Sequence, residues 1–156
     1  MCIPGGRVGR MNSDFNDLLR AFNDAGVKYL IVGGHAVMLY SEPRYTKDLD
    51  IWVEASAANA AKVFATLARF GAPLSGLSEA DFAQEGFFYQ LGRPPARVDI
   101  LMSVDGVRFD EAWPNRTEAA FGDGRAWFIG RAELIRNKRA TRSEERRVGK
   151  ECRSRW

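Results

Sequence analysis

Residues 44–53 read R-Y-T-K-D-L-D-I-W-V, and upstream of them residues 32–37 read V-G-G-H-A-V. Strand side chains alternate, so Leu49, Ile51 and Val53 share one face and Asp48, Asp50 and Trp52 the other. A carboxylate suits a strand interior poorly, and two on one face repel each other unless positive charge lies between them. The segment before them, V-K-Y-L-I-V (27–32), is a short apolar strand that ends in Gly33 and Gly34. Residues 35–41 then read as a short buried helix, and Pro43 bars its continuation. Strand, two glycines, helix and an acid-bearing strand together set an α/β reading.

The flanking segments fit that frame. Asn12 and Ser13 offer N-caps for a helix whose Phe15, Leu18, Leu19 and Phe22 recur at helical spacing, with Gly26 closing it. Ser56 can cap a second helix over 57–70, which carries Val63, Phe64, Leu67 and Phe70 and stops at Gly71. Residues 87–92 and 97–102, separated by R-P-P-A, predict a β-hairpin. A short amphipathic turn near F-D-E-A-W, a strand over 125–130 and a helix over 131–139 complete the chain. No internal repeat or low-complexity linker interrupts it, so the expectation is one α/β domain with a mixed sheet flanked by helices.

At 156 residues the chain is long enough for one domain with its own core. The formal charge of +3 belongs to the ends, because residues 1–10 and 143–156 hold the basic excess and the body is near neutral. A near-neutral body argues against a groove-binding nucleic-acid reader, which needs a basic face. Cys2 and Cys152 lie in those same ends, leaving the body without a disulfide, thiolate or zinc chemistry. The chain has no long apolar run and no signal-peptide pattern, so a cytoplasmic protein with no membrane association is expected. Met11 reads as an alternative start. We therefore expect a domain over 11–142, with 1–10 a non-native or disordered extension and 143–156 a non-native tail that lacks periodicity.

Three acids carry the candidate chemistry. Asp48 and Asp50 point the same way with Cα atoms about 6.5 to 7 Å apart, near enough to share a cation. Asp99, in R-V-D-I-L, repeats the oddity on a strand expected to neighbour theirs. Left unneutralised, three inward carboxylates would cost several kcal/mol, and only Arg97 alternates with them on the same strand faces. Hard divalent cations are their natural partners, and magnesium is usually held by a few carboxylates together with substrate phosphates. Gly33 and Gly34 supply the complementary seat, since a glycine-rich helix start lets phosphate approach the backbone N–H groups. Acids and glycines together describe two-metal phosphoryl or nucleotidyl transfer.

This pattern, G-G followed by thirteen residues, D-L-D and a later V-D-I, resembles the DNA polymerase beta-like nucleotidyltransferase superfamily. More narrowly, G-G-H-A-V-M-L-Y-S-E-P-R-Y-T-K-D-L-D-I-W-V and the later F-I-G-R-A-E-L-I-R-N-K-R-A-T are similar to small bacterial proteins related to AbiEii-type toxins of type IV toxin–antitoxin systems. The resemblance implies a nucleotidyltransferase fold and transfer of a nucleoside monophosphate from a nucleoside triphosphate to a hydroxyl. It further implies that Gly33 and Gly34 hold the triphosphate, that Asp48 and Asp50 bind two Mg2+ ions, and that Asp99 completes one metal site and helps deprotonate the acceptor. Arg44, Thr46 and Lys47 would reach phosphate or position the loop, with Lys138 as a basic residue on the last helix. Implied partners are the nucleotide, an acceptor tRNA, protein or small molecule, and an antitoxin. After N-K-R-A such proteins continue with a glycine-arginine turn and an acidic, apolar helix; this chain reads T-R-S-E-E-R-R-V-G-K-E-C, which predicts an incomplete last helix.

Plainer readings stand beside these. Paired glycines can be only a tight turn, and the acids can serve salt bridges to Arg97 or Lys47. His35, the sole histidine, reads as a helix-start residue. Trp52 and residues 87–89 read first as core, and the cluster Arg136, Lys138, Arg139 and Arg142 as a solvated helix end. An antibiotic-modifying transferase and a non-catalytic binding protein of the same fold are the alternative functions.

Overall fold

A computed structural model describes residues 4–41, 48–92, 97–122 and 124–148, with the backbone alone for 4–14 and 142–148. Its elements in chain order are α1 (Pro4–Ala25), β1 (Tyr29–Val32), α2 (Gly33–Tyr40), β2 (Leu49–Val53), α3 (Ala57–Phe70), β3 (Phe88–Leu91), β4 (Val98–Leu101), α4 (Phe109–Ala112), β5 (Thr117–Phe121), β6 (Gly124–Phe128) and α5 (Arg131–Val148). Short 3-10 turns cover Glu79–Ala83 and Trp113–Asn115. The six strands form one mixed sheet in the order β3-β4-β2-β1-β6-β5. β2 runs antiparallel to β1 and parallel to β4, while β1 runs parallel to β6.

Register determines what each face carries. Tyr29 pairs with Val53 and Ile31 with Ile51, so these side chains lie on the same face as Leu49. There Tyr29 meets Phe22 of α1, with ring centroids 5.8 Å apart. Phe82 of the first 3-10 turn bridges Phe64 of α3 and Tyr89 of β3 on that side. Leu49, Ile51, Val53, Val63 and Leu67 are fully buried. The opposite face carries Leu30 and Val32 of β1 beside Trp52 and Asp50 of β2. Trp52 is buried there against Phe109 of α4, at 5.1 Å. Helices thus cover both faces of the sheet, and the apolar β2 face anchors α1 and α3.

Several expected boundaries hold. Ser56 caps α3 by accepting from the Asn59 N–H, and Gly71 ends that helix with φ +96°. Gly26 follows α1 with φ +75°, and β3 and β4 form the expected antiparallel pair. Three features differ from the sequence reading. α1 begins at Pro4 rather than at an Asn12 or Ser13 cap; proline suits a first helical position, where its missing N–H is not needed. α5 continues past Arg139 to Val148. The Glu and Arg residues there are good helix formers, although they carry no apolar stripe for periodicity to detect. Finally, β5 was not expected, because T-E-A-A-F is poor in β-formers; it is an edge strand paired only with β6.

Candidate active site

The three acids meet because of strand register. Asp48 immediately precedes β2, Asp50 lies within it, and the parallel β2–β4 ladder sets Asp50 directly beside Asp99. All three therefore project from the face that carries Trp52. Asp99 is fully buried, Asp50 partly so, and the Asp48 side chain is 35% exposed.

Gly33 opens α2 on top of Asp50. A Cβ built on Gly33 would fall 2.3 Å from Asp50 Oδ2, and the residue has φ +73°, so both contact and conformation demand glycine. Gly34 follows in the first turn of α2. Val32 occupies the N-cap position in extended conformation, and its apolar side chain makes no cap hydrogen bond. The first-turn N–H groups of α2 are the ones a helix cannot satisfy internally, and they favour an anion.

Arg97 supplies positive charge among the acids. Its Nη2 donates to Asp48 Oδ2 at 2.8 Å, and its Nε lies 3.4 Å from Asp99 Oδ1. Arg97 precedes β4 by one residue, so alternation places it on the face of Asp99, and its carbonyl accepts from the Leu49 N–H. No three His, Cys, Asp or Glu residues among those described stand arranged as a metal site. Asp48 and Asp99 share the Arg97 guanidinium. The donor set itself, carboxylate oxygen throughout, is the chemistry that a hard divalent cation selects.

His35, in the first turn of α2, packs between Phe15 and Phe121, with ring centroids 6.1 and 5.4 Å away. Burial pushes its pKa down to about 4, against the smaller opposing pull of the Asp48 charge. It is a neutral packing residue at neutral pH. Trp52 is core beneath Phe109 and offers no exposed surface for a base to stack on.

Asp50 also borders a cleft of about 190 Å3, whose lining includes Val32, Leu101, Asp105, Asn137 and Thr141. Sequence reasoning placed Lys138 at this helix. Lys138 is half-buried and does not line the cleft, whereas its neighbour Asn137 and the residue one turn on, Thr141, do. Their i, i+4 spacing was the available signal for a shared helix face. Arg44, Thr46 and Lys47 lie outside the described residues. No described helix is long and apolar enough to cross a membrane.

No family model matches the chain, and no curated protein matches it significantly. Solved structures do. The candidate nucleotidyltransferase TM1012 from Thermotoga maritima is 14% identical, with a TM-score of 0.59 over 86% of each chain. The antibiotic-resistance factor ANT(2'')-Ia, known in solution, is 17% identical, with a TM-score of 0.58 over 94% of this chain and 77% of its own. At such identities the likeness establishes architecture: a single mixed α/β domain with the nucleotidyltransferase fold.

Proposed function

We propose, starting from that fold, that the protein transfers a nucleoside monophosphate from a nucleoside triphosphate to a hydroxyl of an acceptor, with Mg2+ as its metal. The observation that carries this reading is the junction of Gly33 with Asp50, at which the start of α2 and an acid of β2 meet at the distance only glycine allows. Asp48, Asp50 and Asp99 would hold the metal, which on binding would neutralise phosphate charge and make the acceptor oxygen a better nucleophile. The Gly33 and Gly34 N–H groups would hold the triphosphate tail.

The remaining work belongs to the chain's own side chains. Asp99, beside Asp50, accepts the acceptor hydroxyl's proton. That oxygen bonds to the α-phosphorus as the bond to the pyrophosphate oxygen breaks, and pyrophosphate leaves with the electron pair. Arg97 balances the acids before substrate arrives, and its guanidinium is a second group suited to phosphate oxygens once it is released from Asp48.

For the acceptor, a toxin-like role on tRNA or protein, paired with an antitoxin, is the leading version. The fold likeness to an antibiotic-resistance factor favours a small hydroxylated acceptor as the next. A non-catalytic reading draws on the Arg97 bridge, which neutralises acids that would otherwise require a cation. Incubating the protein with α-labelled nucleoside triphosphates, Mg2+ and cell extract tests the proposal. Label on a macromolecule supports the toxin-like version, and label on a small molecule the other. An extract unlabelled with every nucleotide contradicts transfer.

A further inference from the structure

We infer that Asn137 reads the nucleoside of the bound nucleotide, its Oδ1 accepting a hydrogen bond from a ribose hydroxyl or an exocyclic amino group. This rests on the nucleotidyl-transfer reading above and deepens it.

Asn137 is 2% exposed, yet it borders the cleft that Asp50 shares. Its Nδ2 donates to the Asp105 carbonyl at 2.9 Å. A carbonyl can only accept, so the amide's orientation is fixed and the opposite atom must be oxygen. That Oδ1 has no partner among the described residues. A buried amide oxygen without a donor is a standing cost to the fold, tolerated where a ligand supplies the missing bond.

The wall that holds Asn137 is built for close approach. Gly106 has φ +83°, and a Cβ there would lie 2.6 Å from the Ala140 Cβ and 3.1 Å from the Arg136 carbonyl oxygen. Only glycine lets the loop after β4 settle on α5, and that contact brings the Asp105 carbonyl to Asn137. On the same helix face the Thr141 hydroxyl is committed to the Asn137 carbonyl at 2.9 Å.

The chemistry of the lining selects the occupant. Asp50, Asp105 and Asn137 present acceptors beside the Ser103 hydroxyl, and no lysine or arginine among the described residues lines the cleft. Asp50 is the acid shared with the helix start, where Mg2+ would neutralise phosphate charge, and the acceptors deeper in the cleft suit the neutral, donor-bearing portion of the nucleotide. Val32 and Leu101 give apolar flanks, and about 190 Å3 is room for a single ring. A sugar or base carrying O–H or N–H donors fits all of these conditions.

Calorimetric titration of the full chain with Mg2+ and α,β-methylene nucleoside triphosphates tests the assignment. The tightest-binding nucleotide is compared with its 2′-deoxy, 3′-deoxy and, where it has one, deamino analogue, in wild type, Asn137→Leu and Asn137→Ser. Removing one donor group is expected to weaken wild-type binding about 5- to 10-fold. In both variants that penalty should vanish. A hydroxyl penalty locates the ribose at Asn137, and an amino penalty the base. Each ratio compares ligands within one variant, so lost stability cannot imitate the result, and the serine variant serves if leucine does not fold. Analogue ratios identical in wild type and variants overturn the inference while leaving nucleotide binding intact. A wild type that binds none of the nucleotides overturns it together with the transferase reading.

Discussion

The two faces of β2 are one residue apart in sequence and opposite in character. On one, Leu49, Ile51 and Val53 are fully buried beneath α1 and α3. One buried amide near that layer is fully bonded, whereas the buried Thr66 hydroxyl of α3 has no partner among the described residues. Buried Asn59 accepts from the Lys28 N–H at 2.8 Å and donates to the Lys28 and Glu54 carbonyls at 3.1 and 3.0 Å. On the other face, the Arg97 guanidinium bridges Asp48 and Asp99, and Asn137 Oδ1 has no partner among the described residues. The difference teaches that stability is made on the apolar face, while the acid face carries a burden that a bound cation and nucleotide would relieve.

Ile51→Ala breaks the comparison most forcefully. It should cost about 3 kcal/mol in urea denaturation, from lost burial and the cavity left behind. Nucleotide affinity per folded molecule should stay unchanged. A cost below about 1 kcal/mol would mean that the apolar face does not carry the fold.

His35 sharpens the comparison with a smaller effect. Its folded pKa, about 4, lies below its ordinary 6.5, so the folded state prefers the neutral ring. The stability that this preference contributes is present above pH 6.5 and is lost as pH falls towards 4. His35→Phe, which keeps an aromatic ring between Phe15 and Phe121, should flatten the decline in melting temperature across that window. An unchanged slope would assign the acid sensitivity to other groups.

Much of this was legible because strand alternation is a strict rule. Asp48 and Asp50 against Leu49 and Ile51 could be read directly, as could the glycines that open α2 and the pairing of β2 with the Asp99 strand β4. Arg97 was visible as the sole basic residue in phase, but that it bridges Asp48 and Asp99 depends on how two separate strands come together. β5 escaped because its alanines and Glu118 have weak strand preference, although the F-G-D-G turn after it marked a hairpin. Asn137 escaped because nothing local distinguishes a buried asparagine from an exposed one. Only the approach of the Gly106 loop makes it part of a cleft.

The central claim is that Asp48, Asp50 and Asp99 bind metal together with nucleotide, and calorimetric titration of a nucleoside triphosphate with and without Mg2+ tests it most directly. The account predicts metal-dependent binding, weakened at least about 10-fold in Asp48→Ala and in Asp50→Ala. Equal affinity with and without Mg2+, and no loss in either variant, would contradict it.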